Sequence, residues 1–252
     1  MNGGGDRRMG QVFGTCPIRN EPSGSDWASL TEPEAERAAA IAHPAARTRF
    51  VVGRALLRRT ILELRPDLGT QPIELVLEPS GRPHVDGHPE LGISLSHTIG
   101  LAAAVCSAGA VGIDVERRTR NDFPPPDAWL TPDERQRLAA VAPADARVWL
   151  LRLWVAKEAT MKACDAWGLV TRRQLEVRPD PSGHDLVVAV AVAVDPAATG
   201  ATLETELQWL AEPEGFIAAI ATPKQLEGCC ERLDEIVTSD RYWSRSRRRA
   251  LG

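Results

Sequence analysis

The 252-residue sequence lacks the long apolar runs that membrane-spanning and exported proteins need. It contains no stretch of about 18 uninterrupted apolar residues, so we predict no transmembrane helix and no membrane partner. The first ten residues, MNGGGDRRMG, have no apolar core after their charges, which argues against a signal peptide. We therefore expect a cytoplasmic protein.

The sequence also has few cysteines and no excess of positive charge. The five cysteines are odd in number and scattered, and no CxxC pair or Cys/His grouping suggests zinc, which favours reduced thiols. The formal net charge of −4 gives no overall attraction to nucleic acid. The composition, 43% hydrophobic and 25% charged, is typical of a globular protein with one large domain or two small ones.

Two carboxylates stand two residues apart in the segment VGIDVE, residues 111–116. In a strand the side-chain period is two, so Asp114 and Glu116 point to the same face. Adjacent carboxylates repel each other, and a hard cation such as Mg²⁺, which prefers oxygen ligands, would relieve that repulsion. For this short motif alone, the alternative is a strand end with two solvated acids.

A second motif, WVAKEATMK at residues 154–162, makes the metal site the better interpretation. On a helix, Glu158 and Lys162 are four residues apart and share one face, beside the large apolar Trp154. The ordinary alternative is an exposed Glu–Lys pair, but a third carboxylate beside the first two would complete a ligand set for a hard cation. Lys157 and Lys162 could neutralise phosphate oxygens.

Candidate anion-binding residues occur upstream. Ser96 and His97 end a half-buried strand of alternating polarity and could line the same cleft, although a lone histidine is more often structural. Arg82 lies in a Gly-Arg-Pro turn and can bind a phosphate with two hydrogen bonds. Arg54 and Arg58 could do likewise, with a solvated basic helix face as the alternative.

Capping, turn and periodicity signals predict the other elements. We predict helices that begin at Thr31 and Thr131, long helices near residues 45–64 and 145–164, and a short helix after 224. We predict strands near residues 93–98, 101–105, 111–116, 175–177, 186–194, 203–210 and 216–221, with turns at 79–83 and 181–183. The arginine-rich residues 241–249 could bind nucleic acid or anionic lipid, but such charge runs are usually solvated.

The two halves of the sequence resemble each other. LTEPE at residues 30–34 matches LTPDE at 130–134, and FVVGRALLR at 50–58 lies over WVAKEATMK at 154–162. PSG recurs at 79–81 and 181–183, and GLAAAV at 100–105 lies over GFIAAI at 215–220. Four matches in the same order predict an α+β fold of two similar lobes related by a pseudo-twofold, each a long helix on a small antiparallel sheet.

This duplication predicts the domain organisation. We expect a flexible N-terminal segment over residues 1–25, a first lobe over 26–110, a second lobe over 111–224, and a C-terminal helix and basic tail over 225–252. The carboxylates would then lie in a cleft between lobes, where ligand pockets often form. The same alignment places Arg54 over Glu158 and Arg58 over Lys162, so the first lobe would present cations where the second presents a metal ligand.

At these residues the sequence resembles the 4′-phosphopantetheinyl transferase superfamily, specifically its monomeric surfactin-synthetase-activating type. The family signature of V/I-G-V/I-D followed by W/F-S/C/T-x-K-E-A/S-x-x-K is matched by residues 111–114 and 154–162, with 39 residues (115 to 153) between Asp114 and Trp154. Two further family elements match Ser96-His97-Thr98 and Gly81-Arg82-Pro83. Val155 departs from the signature, where a small hydroxyl or thiol residue is usual, and we expect it to affect helix packing more than chemistry.

The resemblance implies transfer of phosphopantetheine from coenzyme A to a serine of an acyl or peptidyl carrier protein, with release of adenosine 3′,5′-bisphosphate. The carrier would belong to a polyketide, nonribosomal peptide or fatty acid synthase, as in secondary metabolite biosynthesis, and the enzyme would be a monomer. The resemblance assigns Mg²⁺ to Asp114, Glu116 and Glu158, and catalysis to Glu158 and Lys162. The first lobe would bind coenzyme A phosphates, and the phosphate ligands would be Arg54, Arg82, Ser96, His97, Lys157 and Lys162.

Two other functions remain open from the sequence. A metal-dependent phosphohydrolase could use the same three acids, although it would need a positioned water. A non-catalytic module that binds coenzyme A or a carrier protein would need neither the intact acids nor Lys162.

Overall fold

Helices and antiparallel strands make up the protein, in a computed structural model that describes residues 10–70, 72–78, 81–164, 171–179, 187–193, 202–211 and 214–223. The helices within these residues are α1 Gly24–Ala28, α2 Glu32–Ala40, α3 Pro44–Leu64, α4 Pro126–Trp129, α5 Pro132–Ala140 and α6 Pro143–Ala163. Short 3₁₀ segments lie at Pro66–Thr70 and Arg172–Gln174. None of the described helices is long and apolar enough to cross a membrane.

The strands are β1 Gln11–Pro17, β2 Leu75–Leu77, β3 Pro83–Val85, β4 Leu91–Thr98, β5 Leu101–Ala108, β6 Gly112–Arg117, β7 Glu176–Pro179, β8 Val187–Ala193, β9 Thr202–Trp209 and β10 Phe216–Pro223. They form one sheet in the order β1-β5-β4, a second in the order β6-β10-β9-β8-β7, and a β2-β3 hairpin. Every described pairing is antiparallel. This arrangement is consistent with the predicted α+β class.

The helices α2 and α5 begin in the same way, as their sequences predict. The buried carboxylates of Glu34 and Glu134 accept hydrogen bonds from the backbone N–H of Thr31 and Thr131, at 3.1 and 2.9 Å. A helix start leaves N–H groups without helical partners, and a glutamate at the third position satisfies one of them. The predicted helix starts are therefore confirmed.

The N-terminal segment differs from the sequence-based expectation. Gln11–Pro17 pairs with β5 along its whole length, from Gln11 opposite Ser107 to Pro17 opposite Leu101. Residues 11–17 therefore form a sheet strand where a flexible segment over residues 1–25 was expected, and α1 begins at Gly24, at the end of that range. The strand was missed because an edge strand is held by backbone hydrogen bonds, and QVFGTCP carries little period-two alternation.

The sheet that contains β5 packs against apolar residues on both of its faces. Successive side chains of β5 point to opposite sides, so Ala102, Ala104 and Cys106 pack with α3, while Leu101, Ala103 and Val105 pack with the second sheet. Of the predicted core residues in α3, Leu57 and Ile61 are buried, and Phe50 is half-buried.

The remaining predicted elements are present, with small shifts of their ends. The helix α4 was not predicted, because its four residues follow a proline-rich loop that carries no periodic pattern. The turn at 181–183, the helix after 224 and the arginine-rich residues 241–249 lie outside the described residues. So do Pro79 and Ser80 of the predicted turn at 79–83.

Candidate functional site

The edge strands β4 and β6 belong to different sheets and lie side by side where the predicted site residues meet. Serine side chains link them. Ser94 Oγ accepts from the backbone N–H of Ile113 at 3.1 Å, and Ser96 Oγ accepts from that of Val115 at 3.4 Å. These bonds satisfy edge N–H groups of β6. They also place the alternating polar residues of β4 beside β6, the strand that carries Asp114 and Glu116.

Helix α6 approaches β6 closely on its other side. A Cβ added to Gly112 would lie 2.1 Å from the carbonyl oxygen of Ala159, so this position admits only glycine. The approach brings Lys162 against β6, where its Nζ donates to Asp114 Oδ1 at 2.8 Å and to the carbonyl oxygen of Ile113 at 3.0 Å. Glu158, one helical turn earlier, is carried to the same place.

The three predicted carboxylates interact with one another. Asp114 and Glu158 are buried, with 4% and 7% of each residue exposed. Burial, followed by the negative charge of Asp114, raises the pKa of Glu116 to about 7. Burial is also the main cause that raises the pKa of Glu158, with a hydrogen bond from Arg172 opposing it and Asp114 adding to it. The negative charge of Asp114 therefore acts on both glutamates.

Among the residues that the structure describes, each of these carboxylates has one cation as a partner. Lys162 pairs with Asp114, Arg120 with Glu116, and Arg172 with Glu158. The sequence analysis missed both arginines. Arg120 follows Glu116 by four residues but in a turn, where helical spacing rules do not apply. Arg172 lies 14 residues beyond Glu158, outside the helix that carries Glu158, so no helical spacing rule links the two. Within the described part of the chain, no three His, Cys, Asp or Glu side chains are grouped as a metal site.

The donor set nevertheless fits a hard divalent cation. Asp114 Oδ2 is buried and has no hydrogen-bond partner among the described residues, although Oδ1 has Ser96 and Lys162 as partners. A buried carboxylate oxygen without a partner is costly, and a cation would satisfy it. Asp114, Glu116 and Glu158 offer the oxygen ligands that Mg²⁺ prefers.

The end of β4 adds polar groups beside this cluster. Thr98 Oγ1 donates to Glu116 Oε2 at 3.4 Å, and Ser96 Oγ donates to Asp114 Oδ1 at 2.8 Å. The His97 side chain is exposed, yet its pKa is lowered, first by loss of solvation and then by the positive charges of Arg49 and Lys162. His97 is therefore neutral near pH 7, in a positive environment that suits an anion.

Lys157 lies in the protein interior. It is 0% exposed, and its Nζ donates to Glu134 Oε2 at 2.5 Å and to the carbonyl oxygens of Trp129 and Arg172 at 3.0 and 2.9 Å. An ammonium has three protons, so none remains for a ligand. The contacts therefore argue against the phosphate contact expected of Lys157.

The predicted basic face of α3 is partly buried too. Arg54 and Arg58 pair with the buried Glu34, at 3.6 and 2.7 Å, so they are not a solvated face. The sequence pattern did not reveal this because Glu34 lies on another helix. Arg82 is half-buried just before β3, outside the contacts described above.

A family model described as the 4′-phosphopantetheinyl transferase superfamily matches residues 110–221. No curated protein matches the chain. The matched residues include β6, α6 and most of β10, which carry or flank Asp114, Glu116, Glu158 and Lys162. This part of the chain is therefore similar to the 4′-phosphopantetheinyl transferase superfamily, and the match supports phosphopantetheine transfer as its general activity.

Proposed function

We propose that the protein transfers 4′-phosphopantetheine from coenzyme A to a serine of an acyl or peptidyl carrier protein, with Mg²⁺ as cofactor, and releases adenosine 3′,5′-bisphosphate. The observation that carries this proposal is the meeting of Asp114, Glu158 and Lys162 at the contact between β6 and α6. These residues lie within the part of the chain that is similar to the superfamily.

Asp114, Glu116 and Glu158 would hold the metal. Once bound, it would stabilise the negative charge that develops on the pyrophosphate as the bond to phosphopantetheine breaks. Lys162 would place a second positive charge on the same anion, because its ammonium is already held at this strand by the carbonyl oxygen of Ile113. Arg49 would extend the positive surface toward the remaining phosphate, and the neutral His97 would donate a hydrogen bond to it.

Glu158 is the candidate general base. Its pKa is raised by burial, which brings its proton affinity closer to that needed near neutral pH. It would accept the hydroxyl proton of the carrier serine as oxygen attacks phosphorus. Ser96 would hold the Asp114 carboxylate in place through its 2.8 Å hydrogen bond.

Arg82 remains a proposed phosphate ligand from the Gly-Arg-Pro turn. Arg54 and Lys157 fit structural roles better, since their partners are the buried Glu34 and Glu134. A phosphate contact by Arg54 would require it to leave Glu34.

We also propose the two-lobed, pseudo-twofold plan, with lobe boundaries near residue 110. A repeated set of contacts supports it. Arg58 Nη2 pairs with Glu34 at 2.7 Å and donates to the carbonyl oxygen of Ile73 at 2.8 Å, fifteen residues further on. Lys157 Nζ pairs with Glu134 and donates to the carbonyl oxygen fifteen residues further on.

These contacts suggest a different register from the sequence alignment. They place Arg58 over Lys157, and hence Arg59 over Glu158, whereas the alignment of short segments placed Arg54 over Glu158. The strand pairing agrees: Gly14 lies opposite Ala104 as Asp114 lies opposite Ala219. The first lobe would then have Gly14 in place of Asp114 and Arg59 in place of Glu158. Neither is a carboxylate, so we propose one metal site in a monomeric chain.

The test is intact mass spectrometry of several carrier proteins after incubation with the enzyme, coenzyme A and Mg²⁺. A carrier should gain the mass of phosphopantetheine only when all components are present, and Asp114→Asn should not support the gain. Turnover of coenzyme A without a carrier would instead indicate a phosphohydrolase. Binding of coenzyme A with no change in any carrier would indicate a non-catalytic module.

A further inference from the structure

Two arginines outside every recognised motif lie over one indole ring at the carboxylate site. The guanidinium carbons of Arg120 and Arg172 lie 4.5 and 4.6 Å from the ring centroid of Trp154. Arg120 reaches from there to Glu116, and Arg172 reaches to Glu158. Contact with an aromatic face is a favourable position for a cation, so Trp154 holds both guanidinium groups beside the carboxylates.

With the three carboxylates ionised, the charges of the described residues at this site balance without a metal. Three carboxylates, Asp114, Glu116 and Glu158, are paired with the three cations Lys162, Arg120 and Arg172. A divalent cation added to this set would leave an excess of two positive charges in a partly buried place. Repulsion there is strong because the surroundings screen it less than water does. A phosphate-rich anion added together with the metal would remove the excess.

The side chains of Arg120 and Arg172 are more exposed to solvent than that of the buried Lys157. The side chains of Arg172 and Arg120 are 31% and 19% exposed, whereas that of Lys157 is 0% exposed. Arg120 already has a second acceptor, since its Nε donates to Asp122 Oδ1 at 3.0 Å. Lys162 is less free to leave, because a backbone carbonyl also holds its ammonium.

We propose that Arg120 and Arg172 are exchangeable counterions of the metal site. On binding of the metal, each guanidinium leaves its glutamate and binds an oxygen of the phosphate-bearing co-substrate, for which its planar donor set is well suited. Metal alone therefore binds weakly, and metal and polyanion strengthen each other's binding by the same factor. This inference rests on the proposed metal ligands, but it does not require a carrier protein.

The experiment titrates Mn²⁺, which takes the same oxygen ligands, into the full chain and follows free Mn²⁺ by electron paramagnetic resonance. Each titration is made with and without coenzyme A. The variants are Arg120→Gln and Arg172→Gln, and Arg135→Gln is the matched control. Arg135 is 32% exposed, like Arg172, and makes a 2.7 Å pair with Asp127 at the surface.

Without coenzyme A, Arg172→Gln should bind Mn²⁺ at least about fivefold more tightly than the unaltered protein, because a competing positive charge is gone. Arg120→Gln should change in the same direction, and Arg135→Gln should stay within about twofold. Coenzyme A should raise Mn²⁺ affinity less in the two site variants than in the unaltered chain. Arg172→Lys keeps the charge, so it should not show the gain.

Unchanged or weaker Mn²⁺ affinity in both glutamine variants, with their thermal unfolding intact, would overturn the inference. So would a chain that binds no Mn²⁺ with or without coenzyme A. The proposed transferase can fail separately: if the exchange is observed but no carrier gains mass, the counterion role stands and the proposed activity does not.

Discussion

Replacement of Lys157 by methionine tests the buried Lys157–Glu134 ion pair in the second half of the chain. Methionine has a similar length but no charge, so it leaves Glu134 buried without its cation. Glu134 is itself 0% exposed, and the donors that it keeps within the described part of the chain are the backbone N–H groups of Thr131 and Val177, each at 2.9 Å. Breaking a buried pair by removal of one partner costs about 3–5 kcal/mol, since a charge is left uncompensated.

We therefore expect Lys157→Met to lower the free energy of unfolding by about 3–5 kcal/mol, measured by urea denaturation monitored by circular dichroism. The double variant Lys157→Met/Glu134→Gln should lose less than the two single variants summed, because it leaves no unpaired charge. Arg135→Gln, which breaks an exposed pair, should change stability by less than about 1 kcal/mol. A loss below about 1 kcal/mol for Lys157→Met would refute the buried geometry and return Lys157 to the phosphate ligands.

Three further predictions concern the site. Asp114→Asn and Glu158→Gln should each lower the rate of carrier modification by at least about 100-fold with an unchanged circular dichroism spectrum, and near-normal turnover at saturating Mg²⁺ would remove them from the metal ligands. Gly112→Ala should destabilise the protein by several kcal/mol, of the order of 3, because its Cβ would strike the carbonyl of Ala159; a normal melting temperature would contradict the close helix approach. Calorimetric titration in the presence of coenzyme A should give one Mn²⁺ per chain, and two sites would refute the lobe register proposed above.

The sequence predicted the elements of this fold where a local signal exists. Thr31 and Thr131 mark helix starts because the capping glutamate lies only three residues away, within the same segment. The two long helices and the carboxylate strand follow from their periodic apolar residues. Pairing of β1 with β5 depends on residues about 90 positions apart, and no local pattern carries that information.

The candidate site divides in the same way. Asp114, Glu116, Glu158 and Lys162 belong to compact motifs whose spacing already indicates a shared face. The partners of the glutamates, by contrast, come from a turn after β6 and from the 3₁₀ segment at 172–174. An arginine in such a segment looks like any solvated cation until the fold brings it to a carboxylate, and this chain has many arginines.

The burial of Lys157 argues against the phosphate contact that the motif suggested for this residue. In the motif, Lys157 adjoins Glu158 and has the charge that a phosphate would need. On a helix, however, neighbouring residues point about 100° apart, so adjacent side chains serve different faces. Glu158 pairs with Arg172 beside the carboxylates, whereas Lys157 pairs with Glu134 of α5 and holds the backbone of Arg172. Lys157 therefore acts on the site indirectly. Its 2.9 Å hydrogen bond to the carbonyl oxygen of Arg172 positions the backbone from which the Arg172 side chain extends to Glu158.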